Sequence, residues 1–214
     1  MAEFIRARRP EQKEQRLDEI KGTVRRQFAK RPYHEITLTT IAEELGWSRA
    51  NLYKYVTTKE EIFLLLTADE CDAYFEALLA ALPEGHEFAP AEAADAWANV
   101  AAEHQEYFRL GDLLTTIVET NVTVERLMDF KRGYYAHVAE MREHLPQVIG
   151  IAPEHVETLL LAVYYHATGL VSSCWSNPLI AEALRRLEIE RPETDFRAEM
   201  RDFVSMCLAH YEHQ

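Results

Sequence analysis

Apolar residues recur along this chain at intervals of three and four, with no regular run of alternating positions, so helices are expected throughout and strands are not. Leu17, Ile20, Val24 and Phe28 make the first stripe. Pro10 suits the first position of that helix, and Pro32 stops it. Glu11 and Glu14 near its start, with Arg25, Arg26, Lys30 and Arg31 near its end, complement the helix dipole. Residues 1–9 are expected to form a loose basic arm carrying Arg6, Arg8 and Arg9. Two short helices follow. Thr37 is a good N-cap for residues 38–45, and Gly46 stands where a left-handed residue closes the helix. Ser48 then caps residues 49–55. Ile41, Leu45, Trp47, Leu52 and Tyr55 fall on the inward side of this pair, and Ala42 is small where the helices approach.

Thr58 opens a long helix to about residue 81, striped by Ile62, Leu65, Leu66, Tyr74, Leu78 and Leu82, with Cys71 one step off. Pro83, Glu84 and Gly85 end it. Residues 90–109 read as one helix, with Ala94, Trp97, Ala101, His104 and Phe108 on one face. Gly111 is read as a break before a short helix over 112–120. A further helix starts at Asn121 or Thr123 and reaches about residue 144, with Leu127, Phe130, Tyr134, His137, Val138 and Met141 inward. Residues 146–153 read as a connection. The helix over 153–175 is apolar nearly all round, a short helix spans 177–187, and the last covers 193–211.

A helix apolar on all sides must be covered on all sides. This chain has too few other helices for that, so the pattern predicts a symmetric partner and a four-helix bundle built from the last two long helices of each copy. Val163, Ala167, Leu170, Val171, Phe203, Cys207 and Tyr211 are the residues expected at that seam.

The net charge of −13 argues against nucleic acid as a partner until its distribution is considered. Residues 1–60 hold 13 basic and 9 acidic side chains, whereas residues 61–214 hold 10 and 27. A basic head on an acidic body suits a protein that touches phosphates at one end. No run of 18 uninterrupted apolar residues exists, and the basic start is not followed by an apolar stretch, so neither a membrane span nor a secretory signal is expected. Cys71, Cys174 and Cys207 are scattered and read as reduced thiols of a cytoplasmic protein.

The run Thr37, Ile41-Ala42, Gly46-Trp47-Ser48, Leu52-Tyr53-Lys54-Tyr55-Val56, Thr57-Thr58-Lys59-Glu60-Glu61-Ile62 resembles the N-terminal domain of TetR-family transcriptional regulators. The resemblance covers about residues 10–66. Lys54-Tyr55-Val56 departs from a more usual His-Phe ending, and Trp47 replaces a smaller aliphatic. The resemblance implies an all-α protein. Residues 1–58 would be a helix-turn-helix DNA-binding domain, and residues 59–214 an effector-binding and dimerisation domain. It also implies that residues 48–55, including Ser48 and Tyr55, form the recognition helix. Side-chain chemistry then suggests roles. Arg49 can fork onto a guanine edge and Asn51 can read adenine. Tyr53 and Lys54 can meet phosphates, and Thr37, Thr39 and Lys59 stand at helix N-termini that favour them. Tyr55 is better suited to packing than to reading bases.

No ligand motif stands out in the body. Trp97, His104, Phe108, Thr116, Tyr134, His137, Met141 and Tyr165 are candidate lining residues for an aromatic or amphipathic small molecule. His104, His137 and His166 lack any HxxxH or HExxH spacing, so no metal or other cofactor is expected. No nucleophile–base pair stands at catalytic spacing, which argues against an enzyme. A purely structural helical dimer leaves the charge split unexplained. The expected function is a one-component repressor that binds a near-palindromic operator as a homodimer and is released by a small effector. Activation, or control by a protein partner, fits the same residues.

Overall fold

The computed structural model describes residues 2–174, 178–190 and 194–211, with side chains for 11–172, 179–190 and 194–211. Among these residues every regular element is helical. In order they are α1 (Ala2–Phe28), α2 (Leu38–Leu45), α3 (Arg49–Leu52), α4 (Lys59–Ala81), α5 (Pro90–Glu103), α6 (Gln105–Leu113), a π-helical turn (Leu114–Val118), α7 (Val124–Ile149), α8 (Val156–Cys174), α9 (Pro178–Arg186) and α10 (Phe196–Tyr211). No described helix is long and apolar enough to cross a membrane.

The chain separates into two units: Met1–Asp69 with Leu113–Phe130, and Glu70–Asp112 with Lys131–Gln214. Residues 59–69 and 113–130, which the sequence assigns to the body, therefore cluster with the head. The first unit is built on Ile20, Val24 and Phe28 of α1, Ile36, Ile41 and Ala42 around α2, Leu52 and Val56 around α3, and Ile62, Phe63 and Leu66 of α4, all buried. Phe63 meets Phe28 and Tyr33 edge-on at centroid distances of 5.2 and 5.0 Å. The second unit has a larger core around Tyr74, Leu78, Trp97, Phe108, Met141, Leu159, Val163, Met200 and Val204. Alanines at 93, 94, 98 and 101 are buried along α5, and its small side chains let α10 pack closely against it. Arg197 ties the two by an ion pair to Asp95 at 2.8 Å and a hydrogen bond to Asn99.

Four expectations from the sequence change. The backbone of residues 2–9 is helical rather than loose, and Pro10 lies inside α1. Good helix formers precede it, and a proline's missing N–H frees a single carbonyl there. The side chains of Arg6, Arg8 and Arg9 lie outside the described residues, as does Trp175. Residues 90–109 are not one helix, because His104 (φ −109°, ψ 33°) separates α5 from α6. Gly111 is not a break. It is buried within α6, and a Cβ there would stand 2.9 Å from Cζ of Tyr164 and 3.2 Å from Oγ1 of Thr168. The glycine is required by the close approach of α6 and α8. Finally, α7 runs through Pro146 to Ile149, because Leu145 and Val148 continue its buried stripe.

The proposed dimer seam divides as well. Val163, Ala167 and Val171 are 0–1% exposed within the single chain, so they serve its own core. That corrects the view that α8 needs a partner on all sides: the packing of α10 against α5 and α8 covers the inner face. Leu170, Phe203, Cys207 and Tyr211 remain partly exposed.

Candidate DNA interface and the body core

The helix pair is set by local chemistry. The Thr37 hydroxyl accepts from the Thr40 N–H at 3.1 Å while the Thr40 hydroxyl accepts from the Thr37 N–H at 3.1 Å, a reciprocal box that closes the start of α2. Gly46 (φ 66°, ψ 27°) ends α2, its N–H directed to the carbonyls of Ala42 and Glu43. The Ser48 hydroxyl accepts from the Asn51 N–H at 3.2 Å and starts α3. The regular part of α3 is shorter than the 49–55 expected. Residues 53–55 continue in tighter turns, with Tyr55 N–H bonding the Leu52 carbonyl at 3.0 Å. Leu52 and Val56, each 1% exposed, pin this segment from below.

That anchoring leaves the upper face open. Thr37, Thr39, Ser48, Arg49, Tyr53 and Lys54 are exposed, while Asn51 and Tyr55 are half-buried. The Arg49 guanidinium donates to the Tyr53 hydroxyl at 2.9 Å and lies 5.7 Å from its ring centroid. Trp47 and Tyr55 pack together at 5.7 Å, with Arg16 of α1 over the Trp47 ring at 5.2 Å. Tyr55 thus supports the segment. Lys59 stands at the start of α4, and its side chain turns back onto the preceding loop. Its ammonium donates to the Tyr33 and Ile36 carbonyls, both at 3.0 Å, and sits 3.7 Å above the Tyr33 ring. Burial lowers its pKa. Its side chain therefore holds the loop before α2, while its backbone N–H stands in the first turn of α4.

Sequence reasoning missed the clamp between α1 and α2. Gln27, 4% exposed, donates to the Thr40 carbonyl at 3.0 Å and to the Glu44 carboxylate at 2.9 Å, and accepts from the Thr40 hydroxyl at 2.9 Å. Arg26 pairs with Glu44 at 3.0 Å. The Gln27 amide first, and the Arg26 guanidinium with it, hold the Glu44 carboxyl below its usual range. Gln27 lies one step from Phe28 on a helix, a position the stripe alone marks only as flanking the core.

In the second unit the aromatic residues form one nested group. The Trp97 indole donates to the Tyr74 hydroxyl at 2.7 Å, and Tyr74 stacks on Tyr107 at 5.1 Å. Phe108 meets Tyr74 at 5.2 Å, and Tyr164 meets Tyr107 at 5.3 Å. Burial pushes the Tyr74 and Tyr107 hydroxyls well above their usual range and the Cys71 thiol beside Tyr107 up to about 12. Of the candidate lining residues, Trp97, Phe108 and Met141 are buried here and His104 lies at the α5–α6 break beside Tyr74. Tyr134 is half-buried against Phe75, and burial raises its pKa to about 12. His137 stacks on Phe75 at 5.0 Å and bonds Asp72 at 2.7 Å. Two candidates stand apart: Thr116 is exposed on the π turn of the first unit, and Tyr165 is 62% exposed. The members that sequence reasoning left out of its cavity carry a usable signal: Tyr107 and Tyr164 each adjoin a candidate in sequence, Phe108 and Tyr165, and Tyr74 lies on the apolar stripe of α4. Among the described residues no three His, Cys, Asp or Glu side chains converge as metal ligands.

A capped helix pair, an exposed polar face on its second helix, and a separate helical body define a helix-turn-helix DNA-binding regulator. Residues 23–66 match the family described as bacterial regulatory proteins, tetR family, and residues 68–212 match the tetracyclin repressor-like C-terminal domain. The chain belongs to the TetR family of transcriptional regulators. Its structure is similar to a transcriptional regulator of the TetR/AcrR family from Thermobifida fusca YX-ER1, at 15% identity over 91% of this chain and 96% of that one, with a TM-score of 0.54. It is also similar to the fatty acid degradation regulator FadR from Bacillus halodurans, at 12% identity over 92% and 97%, with a TM-score of 0.57. At these identities the likeness is one of fold. No curated protein matches the sequence.

Proposed function

We propose that the protein is a ligand-responsive repressor of the cytoplasm, without catalytic activity, that binds a near-palindromic operator as a homodimer. A small, largely apolar or aromatic effector entering the body releases it. The observation that carries the DNA-reading part is the exposed row Arg49, Tyr53 and Lys54 on a segment pinned by Leu52 and Val56. Arg49 and Asn51 read base edges, Tyr53, Lys54 and the capped starts of α2 and α4 meet phosphates, and Ser48 and Tyr55 hold the segment in shape. The dimer is supported by an open outer face on α8 and α10. Tyr165 and Met206 are 62% and 63% exposed there, and the His166 ring stacks on Phe203 at 3.8 Å. Leu170, Phe203, Cys207 and Tyr211 flank that face. The aromatic group of Tyr74, Trp97, Tyr107, Phe108 and Tyr164 supports the effector class, since a ligand displacing these contacts must itself be largely apolar. FadR of the fatty acid degradation system shares the fold, which agrees with an apolar effector here. Such a ligand shifts the operator-binding state by its differential affinity, and about 5.5 kcal/mol carries the ratio from 1:99 to 99:1.

Selection of duplexes from a random library by the purified protein, with sedimentation of the complex, tests this. Two half-sites about one helical turn apart and two chains per duplex are expected. Recovery of unrelated sequences, or one chain per site, contradicts it.

A further inference from the structure

Glu61 is the unusual carboxylate of the first unit. It is 4% exposed, yet it stands in the first turn of α4, where most acidic side chains reach water. Its N–H donates to the Thr58 hydroxyl at 3.2 Å, which makes Thr58 the cap of α4. Its Oε2 accepts the Thr57 N–H at 2.7 Å. Thr57 immediately follows Val56, the buried anchor that ends the recognition segment. Glu61 thus fixes the exit of that segment by one backbone bond.

A carboxylate removed from water needs a counter-charge. Arg126 supplies it, with Nε 4.0 Å from Oε1 of Glu61. Arg126 lies in the first turn of α7, and its N–H meets the Thr123 hydroxyl at 3.3 Å, so the helix start that carries it is capped. Both residues belong to the first unit. In sequence they lie apart: Glu61 falls in the N-terminal family match and Arg126 in the C-terminal one. Neither family half holds the pair alone. The segment Leu113–Phe130 follows the buried Gly111 and opens with the π turn, a helical irregularity common where function needs a local adjustment.

We propose that Arg126 is a positioning residue for operator binding. It acts through Glu61 and Thr57 on the exit of the recognition segment, without touching DNA. This rests on the DNA-binding reading above. Arg126 holds the Glu61 carboxylate aimed at the Thr57 N–H, and any displacement of the first turn of α7 loosens that turn.

The test uses the full chain and the duplex selected by the wild-type protein. Arg126→Ala is expected to weaken specific binding about tenfold, within the range usual for coupling between sites. The slope of log affinity against log salt stays unchanged, whereas loss of one phosphate contact lowers it by about 0.9. Arg126→Lys restores most of the affinity. In a Glu61→Gln background, Arg126→Ala adds little, because the pair acts as one unit. Independently of DNA, hydrogen exchange at the Thr57 amide accelerates in Arg126→Ala while the α2 amides keep their protection. Wild-type affinity in Arg126→Ala, a slope reduced by about one, additive effects with Glu61→Gln, or unchanged Thr57 protection each overturns the proposal. So does an affinity loss matched by the unfolded fraction measured by circular dichroism. Wild-type protein that selects no duplex refutes the DNA-binding reading instead, and the Thr57 exchange measurement then still decides the role of Arg126.

Discussion

The two units spend their polar side chains in different places. In the first, Thr37, Ser48 and Thr58 sit at helix starts, and Gln27, Lys59 and Glu61 hold backbone groups of neighbouring turns. In the second, Tyr74 and Trp97 bond each other at the centre of the core, and Tyr107 lies against Cys71. The first arrangement uses polarity to shape a short scaffold and leaves an outer row free for a charged, repeating ligand. The second uses it to satisfy an aromatic interior, so a ligand there must replace contacts already made. One unit is built to present residues and the other to fill its own interior.

Substitutions sharpen that contrast. The largest effect belongs to Leu52→Ala. Leu52 is the apolar floor of the recognition segment, and its truncation is expected to cost about 2–5 kcal/mol. Chemical denaturation measures that cost, and selective DNA binding falls with it. Gly111→Ala comes next. Its Cβ crowds the Tyr164 ring and the Thr168 hydroxyl, and overpacking of this kind costs about 1–3 kcal/mol. The loss is read in the melting temperature, while folded protein keeps its operator affinity at saturating concentrations. If Gly111→Ala left stability intact, the close α6–α8 approach would be wrong.

The smallest effect is one of pH. Glu44 has a depressed carboxyl pKa in the folded chain, from the Gln27 amide and the Arg26 guanidinium. Its contribution is therefore fully present above the unfolded carboxylate pKa, and it is lost as pH falls through the folded value. Head stability should decline across the acidic side of the carboxylate range, and Glu44→Gln should flatten that decline. Thermal melts from neutral to acidic pH give the comparison. An identical pH profile for the variant would remove Glu44 from the clamp's energetics.

These contrasts also explain what the sequence made legible. Thr37, Gly46 and Ser48 act on residues within one turn, so their roles show in a short window. Gln27 and Lys59 act on carbonyls 13 to 26 positions away, and their targets exist only once the helices pack. Gly111 was misread because a helical glycine and a breaking glycine look alike until Tyr164 is seen against it. Val163, Ala167 and Val171 were assigned to a partner because periodicity records that a face is covered and not by what. The body's aromatic core is half legible in sequence: Trp97 and Phe108 stand out, whereas Tyr74 merges into the stripe of α4 and Tyr107 and Tyr164 show their place only once the helices pack.

The central claim is that an exposed row on residues 48–55 reads DNA from a scaffold that does not depend on it. Fluorescence anisotropy of the selected duplex and a scrambled one, across salt, with wild type and the Arg49→Ala/Asn51→Ala double variant, tests it directly. Each lost base contact should cost about 1–3 kcal/mol of discrimination. The double variant is expected to lose most of its preference for the selected duplex at an unchanged melting temperature, and wild-type affinity to fall steeply with salt. A double variant that discriminates like wild type, or wild-type binding indifferent to salt, would contradict it.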